Sequence, residues 1–287
     1  MPVLAVLRPL TLGAFVAAST VAASTVAAST VAAPPSEALG TEGHRVIVSG
    51  AGRIAIFAAD GSVEWTMPRA ATDTLHVLAN GNIMVDAGQD RVVEIERQRS
   101  IEVWAFSAKG AEGAAINLLT FRPLDSGNVL VLVDSPFRLI EIDRLGAVKR
   151  TVDLPGPSPG RGLAHILDSG NALACQADDR AVHEYDGETG EVVRTISVGG
   201  SAEADAPPPF GSAFSAVAQL PDGNLLVATD TGPAVAAYGS DGAIAWSLAH
   251  DELDGIVLSG ITSLQVLSSG NVVLGQSRAG RGQPRLV

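Results

Sequence analysis

The chain has 287 residues, 46% of them hydrophobic, and a net charge of −12 at pH 7. A charge of that sign excludes nucleic acid and an anionic membrane surface as partners, because both repel it. Cys175 is the single cysteine, so no disulfide framework holds the chain and its stability has to come from a core.

In chain order, the first 33 residues stand apart. Met1 to Arg8 carries one positive charge, Leu10, Leu12, Phe15 and Val16 form a short apolar stretch, and VAAST then repeats three times before VAAPP. A basic start, an apolar middle and Val-Ala-Ala sites predict a secretory signal peptide, cleaved after Ala18, Ala23, Ala28 or Ala33. An uncleaved anchor is the alternative, since the 25 uncharged residues from Pro9 to Ala33 are long enough to span a bilayer. Their Ala, Ser and Thr content makes that span weakly hydrophobic. Residues 34–42 read as a linker and 43–287 as one domain of an exported, periplasmic or extracellular, monomeric protein. Once the signal is removed, no stretch is apolar for long enough to form an integral membrane domain.

From residue 43 onward one pattern recurs: apolar run, turn, Gly-Asn, apolar run. It centres on Gly81-Asn82, Gly127-Asn128, Gly170-Asn171, Gly223-Asn224 and Gly270-Asn271, at separations of 46, 43, 53 and 47 residues. Trp104 and Trp246 each follow their repeat Asn by 22 residues, Arg150 by 22 and Arg194 by 23. An earlier unit ends the same way at Trp65. Each unit holds short Val/Ile/Leu runs bounded by Gly, Asn, Asp and Pro, which read as strands and turns. Four antiparallel strands repeated every 40 to 50 residues predict an all-β fold, a β-propeller. Six blades are expected, at about 43–68, 74–107, 117–153, 161–198, 214–248 and 261–287, the first and last incomplete. "PRLV" at 284–287 aligns with "FRLI" at 137–140, so the last unit stops within its third strand. "PPSEALGTE" makes a poor inner strand for the first. The expectation is a chain shortened at its C-terminus by about 30 to 50 residues on the repeat period.

Repeat positions also nominate residues. Leu78, Leu124, Leu167, Leu220 and Leu267, three before each repeat glycine, are predicted to pack at the inner strand. Trp65, Trp104 and Trp246 end the outer strand, where an indole docks on the next blade while its N–H finds a partner; ligand stacking is the alternative. Five before each repeat glycine stand His76, Arg122, His165, Ala218 and Gln265, one per blade near the axis. Two readings stay open for them. His76, Arg122, His165 and Gln265 converge on an anionic or quinone-like ligand, or each satisfies backbone groups of its own blade.

The catalytic inventory is thin. His44, His76, His165, His183 and His250 show no metal-ligand spacing, and a nucleophile elbow, a phosphate-binding glycine loop and Cys-x-x-Cys are absent. Asp60, Asp222 and Asp241 occupy turns where they cap hairpins, without the alternating pattern of an EF-hand loop. Cys175 reads as a small buried hydrophobe, and His183 with Glu184 as an exposed pair on a third strand. The long connections at 198–213, stiffened by Pro207 to Pro209, and at 249–260 are partner-binding rims or solvated connectors.

The stretches "RVVEIERQRSIEVW", "RLIEIDRLGAVKR", "VHEYDGETGEVVR" and "ITSLQVLSSGNVVLG" resemble the PQQ-like, quinoprotein-type β-propeller repeat proteins, in particular exported planctomycete-type members. Tyr185 to Gly190 is similar to the Asp…Thr-Gly part of the tryptophan-docking motif of quinoprotein dehydrogenases, departing from it at Arg194. WD and kelch repeats fit less well, while arylsulfotransferase-like proteins share this style of blade. The resemblance implies an exported binding or interaction scaffold, its partner a small molecule or a protein, with PQQ as the cofactor to test. The alternative it leaves is a quinoprotein-like oxidoreductase or an arylsulfotransferase-like enzyme with its site over the central channel.

Overall fold

The computed structural model describes residues 45–50, 52–70, 72–109, 116–160, 163–176, 181–198, 216–229, 233–253, 256–258, 261–267, 270–279 and 283–286. The expected signal peptide, the linker and Pro207 to Pro209 lie outside them.

All regular structure among these residues is β, in sheets whose strand order follows the chain. The first sheet has three strands, β1 (Val46–Gly50), β2 (Arg53–Phe57) and β3 (Val63–Pro68). A four-stranded blade follows, β4 (Leu75–Val77), β5 (Ile83–Asp86), β6 (Arg91–Glu96) and β7 (Ile101–Ser107). The next holds β8 (Leu118–Pro123), β9 (Val129–Asp134), β10 (Phe137–Ile142) and β11 (Val148–Asp153). After it come β12 (Ala164–Ile166), β13 (Ala172–Gln176), β14 (Ala181–Tyr185) and β15 (Val192–Ser197). The last complete blade is β16 (Val217–Gln219), β17 (Leu225–Ala228), β18 (Val235–Tyr238) and β19 (Ile244–Leu248). A three-stranded sheet closes the described chain with β20 (Ile261–Val266), β21 (Val272–Ala279) and β22 (Gln283–Leu286).

The expected six blades are corrected to five. Four sheets are complete four-stranded blades and each terminal sheet stops at three, so the 22 strands amount to five blades of four with two strands over. The first has no strand inside β1, and the last none outside β22, among the described residues.

The repeat glycine is explained by the first turn of each blade. At Gly81 the backbone φ is +82°, a left-handed conformation that only glycine adopts without strain. Gly81 N donates to Leu78 O and Leu78 N to Asn82 O, both at 2.8 Å, so the repeat leucine brackets the turn. The same two bonds recur at Leu124, Leu167, Leu220 and Leu267. Leu167 and Leu220 are buried, while the other three are half-buried.

The second strand of each blade places side chains in two cores at once. Ile83 and Val85 pack against Ile54 and Ile56 of the preceding sheet, whereas Met84 between them packs against Leu118 and Phe121 of the next. On β9, Val129, Val131 and Val133 face backward, and Leu130 and Leu132 face forward. On β13, Leu173 and Cys175 enter the following core, where Cys175 is fully buried, free and held well above the usual thiol range by desolvation. Alternation of period two is therefore apolar on both faces, and each blade is the wall of two cores.

A β-bulge lies near the start of the outermost strand in five sheets, for example between Glu94 and Ile95 where β6 meets β7. It turns the outer strand and breaks the regular edge that a second chain would otherwise pair with.

Leu132→Ala, at a fully buried position in the core between two blades, is expected to cost about 2–5 kcal/mol in urea unfolding. Leu145→Ala, at a turn position 95% exposed, should shift stability by less than about 0.5 kcal/mol.

Candidate functional site

The inner-strand positions form a register series. His76 pairs with Met84, Arg122 with Leu130, His165 with Leu173, Ala218 with Leu226 and Gln265 with Val273. Two of these side chains satisfy backbone groups, but those of the next blade and not of their own. His76 Nε2 donates to Phe121 O on β8 at 3.0 Å, and its ring meets the Phe121 ring edge-on. Arg122 Nη1 donates to Ile166 O on β12 at 3.0 Å, while Nη2 pairs with the Asp168 carboxylate. The reason is directional: each inner strand is the edge of its sheet and pairs on one side only, so carbonyls such as Phe121 O and Ile166 O are open to the side chain that the preceding blade sends across. Ala218 is buried. Gln265 is exposed and makes no hydrogen bond among the described residues.

His165 is the exception in the series. Among the described residues its ring has no hydrogen-bond partner, yet it lies close enough to Arg122 and His76 to feel both charges. Burial pushes its pKa down to about 4, and the positive charges of Arg122 and His76 push the same way. His76 is also held at about 4, lowered by burial and by Arg122 and partly restored by the bond to Phe121 O. Both rings retain an accessible edge while protein surrounds them at longer range. At neutral pH the set is therefore one guanidinium between two uncharged imidazoles.

Polar links also stitch the outer strands. Trp65 Nε1 donates to Arg97 O at 2.9 Å and Trp104 Nε1 to Arg144 O at 2.8 Å, each acceptor lying in the third turn of the following blade. The Arg144 guanidinium sits 4.6 Å from the centre of the Trp104 ring and pairs with buried Glu94. Trp246 is half-buried against the core shared with β20 and β21. Where Arg replaces Trp, Arg194 Nη1 donates to Gly223 O of the next blade at 3.0 Å and also pairs with Glu184. The Asp186 loop accepts the previous blade so closely that a Cβ on Gly190 would stand 2.4 Å from Asp153 O.

A lattice that the sequence reading missed underlies these links. Asn82, Asn128 and Asn171 each donate Nδ2 to a glutamate on the third strand, Glu94 at 2.5 Å, Glu141 at 2.7 Å and Glu184 at 2.8 Å. The sequence signal was present as a near-constant spacing, 12, 13 and 13 residues from Asn to Glu. His183 and Glu184 are accordingly no exposed pair: Glu184 is part-buried between Asn171 and Arg194, and His183 Nδ1 meets Thr195 Oγ1 at 2.9 Å. Burial alone would raise Glu94, but hydrogen bonds from Asn82 and Arg144, the Arg144 charge and Asn80 outweigh it and hold the carboxyl below its usual range. A groove of about 460 Å³ lies on the flank of this blade, lined by Pro155, Gly156, Pro157, Gln176, His183, Tyr185 and Val192. Gln176 Nε2 crosses it to Pro157 O at 2.7 Å. No group of three or more His, Cys, Asp or Glu suited to a metal occurs among the described residues. None of their elements is a helix long and apolar enough to cross a membrane.

Glu94→Gln leaves the Arg144 charge without its carboxylate and should cost about 1–3 kcal/mol in urea unfolding. Trp104→Phe, which keeps a ring but drops the N–H, should cost about 1 kcal/mol. Both histidines bind protons more weakly folded than unfolded, so their contribution is complete above about pH 6.5. It should fall as pH drops toward 4, the folded value. Thermal melting followed from pH 7 to pH 4 should show that loss, and the double variant His76→Gln/His165→Gln should flatten it. Glu94 adds a loss of the same sign below its ordinary value of 4.5.

No known family profile matches the chain, and no curated protein matches it. Solved structures do. A protein of unknown function from Bacteroides caccae shares 18% identity over 75% of this chain and 81% of its own, with a TM-score of 0.51. The WD40 β-propeller domain of Doa1 shares 15% over 83% and 72%, with a TM-score of 0.54. Virginiamycin B lyase from Staphylococcus aureus shares 11% over 86% and 85%, with a TM-score of 0.52. At these identities the likeness concerns the fold alone, and the fold is that of a β-propeller repeat protein.

Proposed function

We propose that the protein is an exported β-propeller of the PQQ-like repeat class that serves as a binding scaffold, holding a small ligand over its central channel. The observation that carries this reading is His165. Its imidazole is half-buried close to Arg122 and His76, and no described residue hydrogen-bonds it, so its ring nitrogens are open to a ligand. A ligand or solvent acceptor is what such a ring lacks. Around it, side chains that would be free for chemistry are spent in holding one blade to the next. That favours a rigid platform over a catalytic centre, and no residue is assigned a catalytic role. Export rests on the signal-like start, and the monomeric state on bulged outer strands that discourage edge pairing.

PQQ fits in part. Its carboxylates suit Arg122 and two protonatable imidazoles, while a divalent cation beside it finds no acidic cluster among the described residues. The enzyme reading stays a second hypothesis on fold alone, a lyase being among the similar propellers.

Mass spectrometry of small molecules released from protein purified from the exported fraction is expected to find a ligand that His165→Gln loses. An empty spectrum, together with no calorimetric binding of PQQ in Ca²⁺, would overturn the channel-ligand reading. A quinone absorbance accompanied by dye-linked alcohol oxidation would replace the scaffold with an oxidoreductase. Sequencing of the mature N-terminus should place it after Ala18, Ala23, Ala28 or Ala33.

A further inference from the structure

The channel set has an unusual charge balance. His76, Arg122 and His165 come from three consecutive inner strands at one register position, so their side chains are presented at the same level of the ring. The acids in reach are on the turns that follow: Asp168 pairs with Arg122, and Asp125 acts on the same guanidinium. Of the other inner strands, β16 contributes apolar Ala218 and β20 uncharged Gln265. At neutral pH the guanidinium charge is therefore matched by the Asp168 carboxylate, and nothing remains to hold an anion strongly. With both imidazoles charged, three cations stand at one register position of consecutive inner strands.

We infer that His76, Arg122 and His165 form a proton-linked oxyanion site, which takes up an anion together with the protons that charge its two imidazoles. The inference rests on the channel-ligand reading and names the chemistry and regulation of that site. Geometry supplies the donors. His76 keeps its Nε2–H on Phe121 O, so the added proton goes to Nδ1 and creates a new donor without breaking the link between blades. His165 has both ring nitrogens available among the described residues, so it offers two N–H groups when protonated. Arg122 holds the ring between them and contributes its permanent charge. Burial first, and repulsion from Arg122 after it, keeps the imidazoles uncharged, and an oxyanion beside them offsets both. Protonation and anion uptake therefore reinforce each other, as linkage requires. The site is empty of strong affinity at neutral pH and becomes attractive in acid.

The test is isothermal calorimetry of the full chain with sodium sulfate in a chloride background. Sulfate should bind at pH 5 at least about tenfold more tightly than at pH 7.5, the change that one linked proton gives per pH unit at its steepest. Titrations in two buffers of different ionisation enthalpy should report uptake of ~1–2 protons per sulfate. His165→Gln should reduce that uptake, and His183→Gln, on the third strand of the same blade, should behave as the unaltered protein. Should a variant fold poorly, imidazole ¹⁵N NMR of the unaltered protein reads the same linkage, since sulfate should raise the titration midpoints of His76 and His165. Equal sulfate affinity at both pH values overturns the inference, as does undiminished proton uptake in the double variant His76→Gln/His165→Gln. No sulfate binding at either pH, while His165→Gln still loses the released ligand, overturns the inference and leaves the channel-ligand reading standing.

Discussion

Every blade here has two apolar faces, and a single four-stranded sheet has no means of burying either one. That constraint organises the whole molecule. Leu130 and Leu132 point into one core and Val129, Val131 and Val133 into another, from adjacent positions of the same strand. A blade folded alone would leave one of those sets in water, at roughly 25 cal/mol per Å² of apolar surface. Stacking removes that penalty, and the repeat follows from it: the sequence has to present both faces, unit after unit, in the same register.

Apolar stacking fixes how far apart blades lie but not how they are rotated or slid against each other. The polar links supply that information. At the rim, Trp104 reaches the Arg144 carbonyl while Arg144 returns its guanidinium to the indole face and to buried Glu94. Near the axis, His76 and Arg122 make the same kind of sideways bond to the following inner strand. The β4–β7 blade is thus tied to the next at both ends of its radius, and others at one end, by directional groups with short reach. A hydrogen bond contributes only about 1 kcal/mol net, but a misplaced blade would leave several buried groups unpaired, and that is the larger penalty.

Function is what remains when those obligations are met. Many polar groups of the inner and outer strands are committed to holding blades together, while His165 and Gln265 of the inner-strand series make no side-chain hydrogen bond among the described residues. The proposed channel site rests on His165, an imidazole close to a guanidinium whose ring makes no hydrogen bond among the described residues. Its neighbour Arg122 shows how the same lattice tunes the site: the Asp168 pair and the Ile166 carbonyl hold the guanidinium in place, so its charge acts on both imidazoles from a set position.

The sequence by itself determined the blade, its turns and its repeat. Gly-Asn at a fixed period marks a turn needing positive φ, and alternating Val, Leu and Ile mark strands, since both are local properties of the backbone. The per-blade series His76, Arg122, His165, Ala218 and Gln265 was legible for the same reason, being a spacing. Three things were decided only in three dimensions. The count fell from six to five because completing a terminal sheet depends on a strand far away in the chain. The direction of the His76 and Arg122 bonds, to the next blade and not their own, depends on which sheet lies beside which. Glu184 was expected to be exposed, yet with Glu94 and Glu141 it holds the repeat asparagines. Periodicity encodes which face a side chain takes; what waits on that face is set by packing, which joins residues that spacing alone does not relate.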